Sequence, residues 1–118
     1  AYLEIIASSI LLNAGYTLII YETFIGLGFG QLYGLELPAS LVIMAISSIG
    51  VIAPTPGSTG SYHFLFSQSL HRLYLVPLNA ALACATLAHA LATLTYLAIG
   101  GPALLSQWLQ NRKTQAET

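Results

Sequence analysis

The chain has 118 residues, with only three Lys or Arg and four Asp or Glu, so that 6% of it is charged against roughly 25% in a soluble domain. Hydrophobic residues make up 56% and the mean hydropathy is +0.76, which argues against a free-standing soluble domain and against disorder. Cys84 is the single cysteine, which excludes a disulfide scaffold, and three basic residues cannot build a phosphate-tracking nucleic-acid surface.

The charges leave three long runs without any, at 5–21, 37–71 and 73–111. A membrane-spanning helix needs about 20 mostly apolar residues, so all three runs qualify, the first only just. A soluble bundle of buried helices would need polar outer faces, and none is visible. The expected fold is all-α, a polytopic transmembrane helical bundle containing a Pro/Gly-broken and partly re-entrant helix pair. The chain opens at Ala1 without an initiator Met or a basic-then-apolar leader, and closes on a polar tail over 111–118. It reads as the C-terminal portion of a longer membrane protein, with residues 1–110 in the membrane domain.

The first helix is expected over 2–29. Ile5, Ile6, Ile10, Leu11, Leu12 and Leu18 supply apolar surface, and Asn13, Gly15, Tyr16 and Thr17 interrupt it. Ser8, Gly15 and Glu22 share one face. Glu22 has two readings, a carboxylate reaching the headgroup region or one facing an internal polar cavity. Gly26, Gly28, Gly30 and Gly34 then loosen the chain into a connection.

Pro38 suits the start of a second helix, over 38–53. Its Ser40, Ser47, Ser48 and Gly50 are small enough for close helix packing. Pro54-Thr55-Pro56-Gly57 must stop it, because two prolines remove donors and disfavour helix at the residue before each. The segment 54–60 is expected to be non-helical and packed among helices, since irregular backbone in a membrane needs protein or water to satisfy it. Helix resumes over 61–75, where His63, Ser67, His71 and Tyr74 form a polar stripe. Two half-helices meeting at such a break can build a substrate site, and the free N–H groups of the second half favour anions. An interfacial loop and surface helix is the other reading.

Pro77 opens a last helix over 78–109. Ala81, Ala85, Ala88 and Ala92 form a small-residue face, and Thr86, His89, Thr93 and Tyr96 a polar stripe beside it. His89 has two readings, a structural hydrogen-bonding residue or a catalyst, and the first is the commoner for a lone intramembrane histidine. Gly100-Gly101-Pro102 should kink or interrupt the helix. Trp108 stands where an interfacial aromatic belongs, and Arg112 and Lys113 after it put that end on the cytoplasmic side.

No catalytic motif is complete. His63, His71 and His89 lack the spacing of a zinc helix, and no Lys-Ser/Thr follows the glycines at 57 and 60 as in a phosphate-binding loop. Neither a metal, a cofactor nor an enzymatic activity is expected.

Pro54-Thr55-Pro56-Gly57-Ser58-Thr59-Gly60-Ser61-Tyr62-His63, between the Ser47-Ser48 helix and the Ala-rich 80–101 segment, resembles the lysylphosphatidylglycerol synthase transmembrane region family, the flippase-like domain proteins. That family typically shows Pro-x-Pro-Gly-Gly-x-Gly-x-x-Glu here. Ser58 replaces the second motif glycine. His63 stands in place of the Glu, and supplies a group that titrates near neutral pH instead of a permanent carboxylate. The resemblance implies an inner-membrane protein with further N-terminal helices, which handles phospholipid, glycolipid or isoprenoid-linked lipid. No soluble synthase domain is present in this chain.

The leading expectation is therefore translocation of a polar lipid. Its headgroup would lie in a cavity lined at the break by Pro56, Gly57, Ser58 and Gly60. His63, Ser67 and His71 would line it from the second half-helix, and Thr86, His89 and Glu22 from the flanking helices. Membrane lipids and the remaining helices of the domain are the implied partners. The rival is an accessory or scaffold subunit of a membrane-bound lipid- or glycan-modifying enzyme, in which the break and stripes only hold helices together.

Overall fold

The computed structural model describes residues 1–56 and 58–117. Five α-helices follow in order: α1 (Tyr2–Gly26), α2 (Phe29–Tyr33), α3 (Leu37–Ile52), α4 (Thr59–Tyr74) and α5 (Leu78–Ala116). No strand occurs among the described residues, so the chain is all-α.

α1 stops at Gly26, short of the expected 29. The glycine connection is not loose but holds a helical turn, α2, bracketed by Gly28 at φ 70° and Gly34 at φ 67°. Both positions take the left-handed backbone that glycine adopts without steric cost. Between and beside them, Phe29 and Leu35 bury into the core and fix the turn. Periodicity cannot reveal an element of five residues whose helicity depends on tertiary burial.

α3 begins with Pro38 in its first turn, where the missing N–H is not needed, and ends at Ile52 ahead of Pro54. It buries Ala39, Ser40, Ile43, Ser47 and Gly50 along one side. α4 starts two residues earlier than expected, at Thr59, and a 3-10 turn over Pro56–Ser58 leads into it. The break at 54–60 is thus partly helical, and it is shorter than its proline and glycine content implies.

Nor is the break packed among helices. Pro54, Thr55 and Pro56 are exposed, because the turn satisfies its polar groups locally. Ser58 Oγ donates to the Val51 carbonyl at 3.2 Å, Thr55 and Ser61 share a hydroxyl contact at 3.0 Å, and Ser61 Oγ donates to the Gly50 carbonyl. These bonds clamp α3 and α4 into an antiparallel hairpin. At its open end Leu75 takes a left-handed backbone (φ 58°) and Val76 N–H reaches back to the Leu70 carbonyl at 3.3 Å.

α5 is the second correction. It runs unbroken through Gly100, Gly101 and Pro102, and continues past 109 to Ala116, so most of the polar tail is helical. Pro102 removes one N–H and crowds one carbonyl, that of Ala98. No atom lies within 4 Å of where a Cβ would stand at Gly100 or Gly101, so no neighbouring element pushes the helix out of line.

Short connections make α1, α3, α4 and α5 run alternately up and down. The core gathers in the half of the bundle near the α1–α3 and α4–α5 connections, around Phe24, Ile43, Phe66, Leu70 and Cys84. The rest of α5 projects beyond it, which explains extents of 62 × 29 × 27 Å. Of the expected small-residue face on α5, Ala81, Ala85 and Ala88 are buried against the bundle together with Cys84, whereas Ala92 is only half-buried.

α1 and α5 are long and apolar enough to cross a membrane, and only 11% and 17% of their most apolar windows are buried within the chain. α3 and α4, sixteen residues each, span about 24 Å at 1.5 Å per residue, short of a ~30 Å hydrocarbon layer. The charges avoid the middle of the bundle. Glu22, Glu36 and Arg72 lie at the connection end, Glu4 lies about 33 Å away at the far end of α1, and Arg112 and Lys113 lie about 18 Å further out on the projecting part of α5. From Glu4 to Glu22 along α1 the rise is about 27 Å, so the bundle carries an uncharged belt close to the thickness of a bilayer core.

Candidate functional site

A cavity of about 240 Å³ opens where α1, α3, α4 and α5 meet. Its walls are mainly Ile19, Ile20, Met44, Val51 and Ile52, and its polar groups come from Asn13, Ser47, Ser48, Tyr16 and Tyr62. Counted from the connection end, Ser47 and Ala88 lie about 15 Å down their helices, Tyr62 about 18 Å and Asn13 about 20 Å, at 1.5 Å per residue. The cavity therefore sits near mid-height of the uncharged belt.

Its polar groups are unevenly satisfied. Asn13 Nδ2 donates to the Ser9 carbonyl at 2.8 Å, which leaves its Oδ1 as an acceptor. Ser48 Oγ donates to the Ala45 carbonyl at 2.7 Å. Ser47 is 1% exposed and lines the cavity, and among the described residues its Oγ is the buried side-chain polar atom with no hydrogen-bond partner. A hydroxyl buried without a partner costs about 1–3 kcal/mol, so such a group calls for a water or a ligand.

Tyr62 links this cavity to a cluster of rings. Its ring lies 5.2 Å from that of His89 and 5.7 Å from that of His63, and the two imidazoles are 5.2 Å apart. His63 Nδ1 meets the Thr59 carbonyl one turn back. A carbonyl only accepts, so Nδ1 is the donor in this contact. His63 thus stands in the second turn of α4, tied to its own helix. Among the described residues no three His, Cys, Asp or Glu converge as metal ligands would.

Of the residues singled out in the sequence, His63 and His89 come together and the others scatter. Glu22 is exposed near the end of α1, at the opposite end from the break. His71 lies two turns beyond His63, about 12 Å along α4, and contacts the Val76 carbonyl at 2.8 Å. Ser67 is buried with its hydroxyl on the His63 carbonyl at 2.7 Å, and Thr86 is exposed with its hydroxyl on the Leu82 carbonyl at 2.9 Å. Pro56 and Gly60 are exposed, Ser58 is half-buried in the turn, and Gly57 lies outside the described residues.

Asn13, Tyr16, Ser47, Ser48 and Tyr62 are the polar groups of the cavity that sequence reasoning did not place in a site. Asn13 carried a usable signal, a side-chain amide in the middle of an apolar run, where polar residues are costly. Ser47 did not, because a serine on a membrane helix ordinarily bonds to a carbonyl three or four residues back, as Ser40 and Ser48 do here.

Comparison with protein-family models, curated proteins and solved structures finds no match to this chain.

Proposed function

We propose that this chain belongs to an integral membrane protein that takes the polar head of a lipid into the four-helix cavity and passes it between leaflets. The observation that carries the proposal is the mid-height cavity with an unpartnered Ser47 hydroxyl on its wall. Binding near the bilayer midplane between short, broken helices is how membrane transporters meet polar substrates. The uncharged belt and the mostly unburied α1 and α5 support the membrane setting. In this reading α3 and α4 form a re-entrant hairpin, since each falls short of a full span while its turn closes its own hydrogen bonds. The end with Arg112 and Lys113 faces the cytoplasm of a bacterial inner membrane, and Arg112 lies 4.5 Å over the Trp108 ring.

The likeness of 47–101 to the flippase-like family is part of the same proposal. Ser58, in the place of a motif glycine, has φ 54°, a backbone at which glycine carries no steric cost. An unpaired polar headgroup group in hydrocarbon costs several kcal/mol, and the cavity lowers that barrier by supplying partners halfway.

The test is reconstitution of the protein in vesicles with acyl-labelled fluorescent phosphatidylglycerol or glucosyl diacylglycerol, followed by a membrane-impermeant quencher. Translocation of either lipid leaves less protected fluorescence than in protein-free vesicles. Equal protection with and without protein, for both lipids, would refute the proposal and favour a scaffold role.

A further inference from the structure

The walls of the cavity describe what it accepts. No Asp, Glu, Lys, Arg or His lines it. The imidazoles of His63 and His89 pack on Tyr62 but are not wall residues. Its polar groups are neutral: the Asn13 amide, the Ser47 hydroxyl without a partner, the Ser48 hydroxyl and two phenols. A phosphate in this space would have no counter-charge, and a buried charge without one is far costlier than an unpaired neutral group. Hydroxyls and amides in a small cavity match a group that both donates and accepts, and aromatic faces suit the C–H surface of a sugar ring.

A second space adjoins the first. Asn13 and Met44 also line an apolar groove of about 760 Å³ between α1 and α3, with Ile10, Leu18, Leu41 and Pro38. Ile10, Leu18 and Leu41 are more than half exposed, so the groove is open along the outer face of the bundle. A neutral head in the cavity and an acyl chain in the groove would meet at these two residues.

Building on the lipid-handling reading, we infer that the ligand is an uncharged, hydroxyl-bearing glycolipid whose head enters between α1 and α3 and hydrogen-bonds Ser47. Ser47 is the discriminating group. Its hydroxyl has no internal bond to lose, so Ser47→Ala removes a ligand partner without removing a structural one.

The experiment uses the protein in lipid nanodiscs with a photoreactive group on the acyl chain of glucosyl diacylglycerol or of phosphatidylglycerol. Adducts are mapped by mass spectrometry. The glucosyl probe is expected to label α1 and α3 around Asn13 and Met44, and unlabelled glucosyl diacylglycerol to compete. Ser47→Ala should lower labelling about five- to tenfold at subsaturating probe, the worth of one hydrogen bond, with an unchanged or raised thermal midpoint. Asn13→Leu, on a different helix, should lower it similarly and keeps the test valid if Ser47→Ala misfolds. Equal labelling by the phosphatidylglycerol probe, or full labelling of both variants, overturns the inference. Transport of phosphatidylglycerol without glucosyl labelling overturns it while leaving lipid translocation standing, whereas failure of both probes and of transport removes both.

Discussion

Gly50→Ala is expected to break the α3–α4 hairpin. A Cβ at Gly50 would lie 2.8 Å from the Ser61 carbonyl oxygen, 2.9 Å from its carbon and 3.0 Å from the Tyr62 nitrogen. These are backbone atoms, which cannot rotate away as the tip of a side chain would. The helices would have to separate, and the Ser61 hydroxyl bond to the Gly50 carbonyl would be lost with them. Overpacking typically costs about 1–3 kcal/mol, and contact with backbone puts this variant at or above the upper end. Gly15 provides the control, because it lies in the interior of α1 and nothing outside its own helical turn lies within 4 Å of a Cβ there. Gly15→Ala should be neutral or stabilising by up to about 1 kcal/mol. Unfolding of both variants in mixed micelles decides it: equal stability of the two would show that α3 and α4 do not approach as described. The same separation would displace Tyr62, so Gly50→Ala should lose the site together with the fold.

Leucine at two neighbouring positions on α5 should separate packing from function. Ala85 and Ala88 are both almost fully buried, but only Ala88 lines the cavity. At Ala85 three added carbons meet a filled core beside Cys84 and Phe66, and destabilisation of about 1–3 kcal/mol is expected. At Ala88 the same carbons have about 240 Å³ to enter. Ala88→Leu should therefore keep near-native stability and reduce lipid translocation at least tenfold. Native stability with undiminished translocation would disconnect the cavity from transport.

The outline of the fold was legible because its determinants are local. Pro38, Pro54 and Pro77 mark where helices begin and end, and long charge-free runs mark α1 and α5. The alanine face of α5 follows from spacing alone. What was not legible depends on partners distant in sequence. α2 exists because Phe29 and Leu35 find a core. Pro102 does not interrupt α5, since one missing donor is tolerated in a long helix with no competing geometry beside it.

The site was partly legible for a similar reason. Helical spacing correctly puts His63, Ser67 and His71 on one side of α4, but it says nothing of height. His71 lies about 12 Å from His63 along the axis and bonds at the helix end. Thr86 and Ser67 satisfy their hydroxyls on their own helices, as Ser and Thr commonly do. The meeting of His63 with His89, and of Ser47 with Asn13 and Tyr62, arises from the register of α4 on α5 and of α3 on α1. No single segment encodes that register.

The central claim is that a cavity with hydroxyl and amide groups on a mainly apolar wall lies at mid-height in a membrane-embedded bundle, and water access tests it most directly. In a Cys84→Ala background, single cysteines at Asn13 and Ser48 line the cavity, while one at Leu94 lies on an exposed apolar face of α5. Iodoacetamide reacts with the thiolate, which forms only where water reaches the sulfur. In protein reconstituted in lipid vesicles, the cysteines at 13 and 48 should be alkylated at least ten times faster than the one at 94. Equal, slow alkylation at all three positions would contradict the account, since it would mean that lipid or protein, and not a water-accessible cavity, surrounds Asn13 and Ser48.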